Sequence, residues 1–457
     1  MTGPITFRNQ GTLRVENSGL LQLLNGPAIF IHESGATIGR TNSGQGRISS
    51  GTGYIHAHGG SIFEASSGAI IDVDVGISGF VSNAICRGAG TVEFNGNFDL
   101  LSCSREAGST VTIAMDESPI VQAGGMMFDV SDANGNIDGL LWNKAGNATI
   151  STASGNAINR GVFTMRASGG WMKPTIGGGE FVNDTGGTFR NDHPTTTYQE
   201  GTFRNKGTYE FLANQSVQLF TGSASFINES GGLVRKTGGT ASFGGSGDDT
   251  FDNAGTLRVD ATTVSSMLTV SSAIGTTPQF SGNTLSGGTW QVIAASNTAT
   301  LNYDSADAGI STIDTGAEVL LSGANATFSE LSAASLTVSG ALGIHDQQVY
   351  APGGLSADGI LDFGLEAADA GGSLKTGINV GGDVDFSGGT VTVSNRGDMV
   401  LGTYRIIEWT GAETGTLTMG TKTIDDFRIL LNQNNGGNYV ELTVVPIDFH
   451  GMSIKVF

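Results

Sequence analysis

The chain has 457 residues, of which 72 are glycine and only 8 proline, and 14% are charged. Glycine without proline or a Gly-X-Y period excludes a collagen-like rod, and 38% apolar residues are too many for a disordered tract. The formal charge is −20, from 42 acidic against 22 basic residues, with no basic run to meet phosphates, so no nucleic acid is expected as a partner.

One phrase organises the chain from its first residues. It reads Phe7-Arg8-Asn9-Gln10-Gly11, then Phe30-Ile31-His32-Glu33-Ser34-Gly35, with Tyr54-Ile55-His56-Ala57-His58-Gly59 as a looser copy. It returns at Trp142-Asn143-Lys144-Ala145-Gly146, Phe181-Val182-Asn183-Asp184-Thr185-Gly186, Phe203-Arg204-Asn205-Lys206-Gly207, Phe226-Ile227-Asn228-Glu229-Ser230-Gly231 and Phe251-Asp252-Asn253-Ala254-Gly255. The aromatics at 181, 203, 226 and 251 recur at intervals of 22, 23 and 25 residues, the length of one coil of a β-solenoid. Coils of about 23 residues stacked at ~4.8 Å set an upper bound of about 20 coils. The expected fold is all-β, a parallel β-helix, right-handed by the general preference of parallel crossovers.

Each part of the phrase has a physical role in such a coil. The aromatics Phe7, Phe181, Phe203, Phe226 and Phe251 are expected inside, ring on ring. Asn9, Asn183, Asn205, Asn228 and Asn253 are expected to end the strand and bond to the matching Asn of the next coil. Gly11, Gly207 and Gly255 are expected to turn the corner in the left-handed conformation. Arg8, Arg204, Lys206 and Asp252 fall between these positions and are expected to face solvent.

Along the chain, residues 1–399 read as solenoid repeats, with uneven spacing and longer loops at 76–180. From 263 the units become Ser/Ala/Gly-rich, as in Leu336-Thr337-Val338-Ser339-Gly340, which implies a smaller core. Residues 400–446 read as a cap over the open strand edges, because Phe427-Arg428-Ile429-Leu430-Leu431 and Tyr439-Val440-Glu441-Leu442-Thr443 flank an Asn/Gly turn. Residues 447–457 form a tail with no assigned place. No run of ~18 apolar residues occurs, so no membrane-spanning segment is expected. The N-terminus lacks a charged region followed by an apolar run. A secreted protein needs one, so the expectation is a removed leader or a piece of a longer chain.

The Phe-x-Asn-x-x-Gly-Gly-Leu-Val coils, with the closing Gly402-Thr403-Tyr404-Arg405-Ile406-Ile407 and Tyr439-Val440-Glu441-Leu442-Thr443-Val444 strands, resemble bacterial autotransporter-type passenger domains and related secreted β-helix repeat proteins. The resemblance covers most of the chain and implies an exported right-handed parallel β-helix, commonly an adhesin, found outside the cell or on its surface. That family's translocator barrel and anchoring tail are not recognisable after residue 446.

Several residues are candidates for chemistry. Gly244-Gly245-Ser246-Gly247-Asp248-Asp249-Thr250-Phe251-Asp252 fits one copy of a calcium-binding nonapeptide, with Asp248, Asp249 and Asp252 as ligands; a single turn supplies half of such a site, and an acidic corner is the plainer reading. His56 and His58, Asp72 and Asp74, and Asp383 and Asp385 each share one strand face. Such carboxylate pairs serve as acid and base in β-helix glycan-cleaving enzymes, yet no aromatic or basic cluster accompanies them here, and solvated outward residues account for them. Arg396-Gly397-Asp398 matches a receptor-binding tripeptide that arises readily by chance. Asn147, Asn183, Asn214, Asn228 and Asn325 sit in Asn-x-Ser/Thr triplets, but an inward Asn cannot carry a glycan. Cys86 and Cys103 are either bridged or two separate thiols.

The expectation is therefore a secreted or cell-surface structural or adhesive β-solenoid without catalytic activity or a cofactor, calcium aside. It would bind a surface, a glycan, another protein or copies of itself. The alternatives are a β-helix carbohydrate-active enzyme, with loops from 76–180 over a cleft, and a phage tail-spike or fibre segment.

Overall fold

A computed structural model describes residues 6–16, 19–22, 28–49, 53–81, 84–100, the short strands between 103 and 172, 180–191, 196–212, 214–219, 223–271, 273–304, 309–329, 331, 335–434 and 436–447. The protein is nearly all β, with parallel stacked sheets forming a β-solenoid of about 11 turns, below the upper bound set by the repeat length. Two units are distinguished, residues 1–255 with 273–276, and residues 256–272 with 277–457. Much of 76–180, where long loops were expected, lies outside the described residues.

In the first unit a coil has three sides. Glu180–Asn183, Thr188–Asn191 and Thr196–Gln199 form one, and Thr202–Asn205, Thr208–Phe211 and Gln215–Leu219 lie parallel on them in the next. The register is strict: Phe181 pairs with Phe203, Phe203 with Phe226 and Phe226 with Phe251. Their rings stack at centroid distances of 5.0, 5.2 and 5.8 Å and are fully buried. Phe7 stacks on Phe30 at 5.3 Å, although its own outer side stays exposed. A second column, Phe189 on Tyr209 at 5.1 Å, meets the first edge-on. Each large ring removes much apolar area from water, so the aromatic columns form the core of this unit.

Beside the rings runs a column of amides. Asn159 donates to Asn183, Asn183 to Asn205, Asn205 to Asn228 and Asn228 to Asn253, each Nδ2···Oδ1 distance being 2.7 Å. The same Nδ2 groups of Asn159, Asn183 and Asn205 also donate to backbone carbonyls of the following side. A buried amide is tolerable only when its donors and acceptor are matched, and the one-coil spacing achieves this. In the first coils His32 takes the place of Asn, its Nδ1 3.2 Å from Asn9 Nδ2 and its Nε2 2.9 Å from the Ile62 carbonyl. Burial pulls the His32 pKa down, outweighing the Ile62 contact, which suits a neutral rung.

The corner glycines differ from the expectation. Gly11, Gly207 and Gly255 do not have positive φ; that conformation belongs to Gly186 (φ 83°) and Gly231 (φ 87°), one residue earlier in the longer phrase. At Gly207 and Gly255 the constraint is the preceding coil. A Cβ would lie 2.2 Å from the Gly187 carbonyl oxygen at Gly207, and 2.3 Å from that of Glu229 at Gly255. Coil-on-coil approach, not backbone handedness, selects glycine at these two positions.

The second unit keeps the parallel stacking, with columns of aliphatic residues beside scattered aromatics such as Trp290, Phe363 and Tyr404. Leu336, Leu355 and Val384 are in register and buried, as are Val338 and Ala357 two residues further along their strands; Phe386 is buried as well. Parallel pairing runs past 399: Gly402–Trp409 lies on Gly371–Val380 and Glu413–Met419 on Asp383–Asn395. Antiparallel pairing follows, with Tyr439–Pro446 against both Gly402–Trp409 and Phe427–Asn434. This C-terminal hairpin covers an edge through one side chain. Gln433 Oε1 accepts from Leu417 N–H at 3.0 Å and its Nε2 donates to the Gly415 carbonyl at 3.1 Å, standing in for the strand that would come next.

Candidate functional site

The outward residues of the first unit neutralise one another. Arg204 donates to Glu180 at 2.7 and 2.8 Å on one neighbouring coil and to Glu229 on the other, and Arg190 pairs with Glu210 at 3.0 Å. Arg8 pairs with Glu33 at 2.5 Å. Arg204 is only a quarter exposed, so it is less solvated than its position in the phrase suggested. Arg40 and Asp72 are among the buried polar residues of this unit. Arg40 sits at 1% exposure, its guanidinium donating to the carbonyls of Val15, Ser43 and Gly44. Asp72, expected to be solvated, is also buried; its Oδ2 accepts from Arg47 at 2.5 Å and from Gln45 at 2.8 Å. Arg47 lies opposite Asp72 on the adjacent coil, a neighbour 25 residues away that local sequence could not reveal. The side chain of Asp74 lies outside the described residues. His56 is half-buried, with its pKa lowered by burial and then by His58, which is exposed.

The nonapeptide forms an acidic corner. Asp249 is buried and fully engaged: Oδ1 accepts from Ala224 N–H at 3.0 Å, and Oδ2 from Ser246 N–H at 2.6 Å and its hydroxyl at 3.0 Å. Asp248 is exposed and Asp252 half-buried, and the three do not gather their oxygens into one cluster. Among the described residues, the acidic group that does so is Asp346, Glu366 and Asp369, within 4.8 Å of one another. There Asp369 accepts from the Thr376 hydroxyl at 2.7 Å and from Glu366 N–H at 2.9 Å, while Asp346 faces Arg396 at 3.5 Å. Burial, with Asp346, Asp369 and Asp398 around it, raises the Glu366 pKa.

The tripeptide 396–398 is tied into the same corner. Arg396 donates to the Ser322 hydroxyl at 3.2 Å and Asp398 accepts from Ala367 N–H at 3.2 Å. Nearby, His345 Nε2 and Asp362 Oδ2 are 2.8 Å apart, and the Thr392 hydroxyl donates to Asp362 Oδ1 at 2.7 Å. Burial pushes the Asp362 carboxyl up, but the bonds from His345 and Thr392 prevail and hold it below its usual value. Asn183 and Asn228 are buried ladder rungs, whereas Asn214 and Asn325 are exposed; Asn147 lies outside the described residues. Cys86 is buried, and the side chain of Cys103 lies outside the described residues.

One pair of carboxylates opens onto a groove. Thr284, Thr312, Thr337, Ser356, Asp385 and Thr414 are in parallel register across six strands of the second unit. Thr284, Thr312, Thr337, Ser356 and Asp385 adjoin buried apolar residues and Thr414 is exposed, so the row faces outward, at the ~4.8 Å spacing of a parallel ladder. Over Thr337, Ser356, Asp385 and Thr414 the face is concave, a groove of about 440 Å³ bordered by Ser335, Gly353, Gly354, Asp383 and Ala412. Its edge is low because the corners carry no side chains. A Cβ on Gly382 would lie 1.9 Å from the Gly353 carbonyl oxygen, and one on Gly411 2.2 Å from Asp383 Oδ1.

Both acids of this groove hold their own loops. Asp383 Oδ1 accepts from Ala412 N–H at 2.7 Å, and Asp385 Oδ1 accepts from the Ser387 hydroxyl at 2.6 Å and its N–H at 3.1 Å. The Ser387 bonds, with a further one from Thr414, hold the Asp385 carboxyl below its usual range. No Lys, Arg or His is among the described residues lining the groove. Sequence pairing had singled out Asp383 and Asp385 but not the hydroxyl row, which comes from coils of unequal length.

A comparison with known protein families finds no match, and neither does a comparison with curated proteins. Among the described residues no helix is long and apolar enough to cross a membrane.

Proposed function

We propose that this chain is a non-catalytic β-solenoid of the cell exterior, structural in its first unit and adhesive through the groove of its second. The observation that carries this reading is the state of the groove carboxylates. Glycan hydrolysis needs one carboxyl kept protonated by a raised pKa beside a second that is ionised. Here Asp385 accepts from the Ser387 hydroxyl and N–H, bonds that favour its ionised form, and Asp383 accepts from the Ala412 backbone N–H. A carboxylate that stays ionised accepts hydrogen bonds but supplies no proton. The −20 charge and the self-paired outward face of the first unit suit an extended scaffold that repels its own kind.

The reading is tested by incubating the purified chain with a panel of polysaccharides and following binding together with release of reducing and unsaturated ends. Binding without new chain ends is the expected result. Turnover that disappears in Asp383→Asn or Asp385→Asn would replace the adhesive reading with an enzymatic one.

A further inference from the structure

We infer that the groove over Thr337, Ser356, Asp385 and Thr414 takes a glycan chain free of acidic groups. The inference rests on the groove being a binding surface and names its ligand class. Three observations converge on it.

The first is the chemistry of the lining. Ser335, Thr337 and Ser356 offer hydroxyls that both donate and accept, Thr414 keeps acceptor positions beside its bond to Asp385, and Asp383 and Asp385 offer acceptors alone. A polyhydroxylated chain has the complementary set, since every sugar hydroxyl can answer either kind of partner. Each carboxylate has about four acceptor positions, and the bonds from Ala412 to Asp383 and from Ser387 and Thr414 to Asp385 leave acceptor positions on both.

The second is spacing. The polar tips repeat once per coil along the stacking direction, in register from Thr284 to Thr414. A repeating ligand can therefore make the same contact on successive strands, and a chain lying along the row gains from each coil it crosses. The groove is open and shallow, which admits the middle of a chain as readily as its end.

The third is charge. Two carboxylates border the groove, Asp385 is held in its ionised form, and no described lining residue is cationic. A uronate or sulfate ester placed there would meet like charge with nothing to offset it. Neutral chains escape this penalty, and amino-bearing chains gain from it.

The test uses the full chain and three soluble oligosaccharide probes of equal length: a neutral β-glucan, a chitosan oligomer and an alginate oligomer. The neutral and amino-bearing probes are expected to bind and the alginate oligomer not to. Ser356→Phe puts a ring into the groove from a half-exposed outward position and should weaken neutral-glycan binding at least tenfold while the melting curve stays in place. Asp385→Asn should raise alginate binding about fivefold.

Alginate binding as tight as the neutral probe, or neutral binding untouched by Ser356→Phe, would overturn the assignment and leave the adhesive reading standing. Failure of all three probes to bind would also overturn it. Groove-dependent binding accompanied by new reducing ends would do the reverse, supporting the groove assignment and removing the non-catalytic reading.

Discussion

The two units use one architecture in opposite ways. In residues 180–253 the same rings and amides recur from coil to coil, each meeting its counterpart one coil away, and Arg204 and Arg190 pair with glutamates of adjacent coils. In residues 335–414 the interior mixes aliphatic side chains with scattered aromatics, glycines stand at the corners beside the groove, and the outward row lining it carries hydroxyls and carboxylates without cations. Regularity thus marks where the solenoid binds itself, and departure from it marks where another molecule can be bound. The contrast also explains why the coils with the strongest repeat contain the least promising sites: their polar groups are already spoken for.

The largest effect that could break this contrast lies in the ring column. Phe226 is fully buried between Phe203 and Phe251, so Phe226→Ala should cost about 3–5 kcal/mol in chemical denaturation. A near-neutral result would mean the rings do not hold the coil. Asn205→Ala should follow at about 2–3 kcal/mol, because it strands the Asn183 donor and the Asn228 acceptor inside the core. The outward Ser356→Ala, by contrast, should fall within about 0.5 kcal/mol.

Two glycines separate close approach from backbone handedness. Gly255→Ala drives a methyl against the Glu229 and Gly232 carbonyls and should cost more than Gly231→Ala, where nothing lies within 4 Å and the penalty is the left-handed backbone alone, about 1–2 kcal/mol. Equal costs would revive the handedness explanation for both.

Acid and base should act on different units. Burial pushes the Lys236 ammonium down to about 8 from 10.5 in the unfolded chain. The neutral form is then favoured in the folded state, so a penalty present in full below pH 8 lifts as pH rises towards 10.5. Stability of the first unit should climb across that window, and the climb should vanish in Lys236→Met. Asp362 has the opposite charge and a lowered pKa, so its contribution is present above pH 3.8 and is lost as pH falls through its lower folded value. His345→Phe should move that acid loss to higher pH.

A modest effect is expected in the C-terminal hairpin. Gln433→Ala removes its bonds to Glu413, Gly415 and Leu417 of the edge strand Glu413–Met419 and should cost about 1 kcal/mol. The same change exposes strand edge, so light scattering should show more self-association than in the parent chain.

The repeat made the coil readable because a fixed interval puts identical residues into one column. Phe203, Asn205 and their counterparts identify the interior, and the 432–438 turn identifies the hairpin. Strand alternation from Val234 also places Lys236 inward, although its charge argues otherwise. The second unit was less readable. Thr337, Ser356, Asp385 and Thr414 come from coils of different length, so no fixed interval joins them, and the bare corners at Gly382 and Gly411 gain meaning only from what stacks against them. Arg47 with Asp72 was missed for the same reason.

The most direct test of the division between a self-satisfied scaffold and a binding face is hydrogen exchange with and without saturating neutral β-glucan. The account predicts slowed exchange in peptides covering 335–337, 353–356, 383–385 and 412–414, with 180–253 unchanged. Protection confined to 180–253, or no protection around the groove, would contradict it.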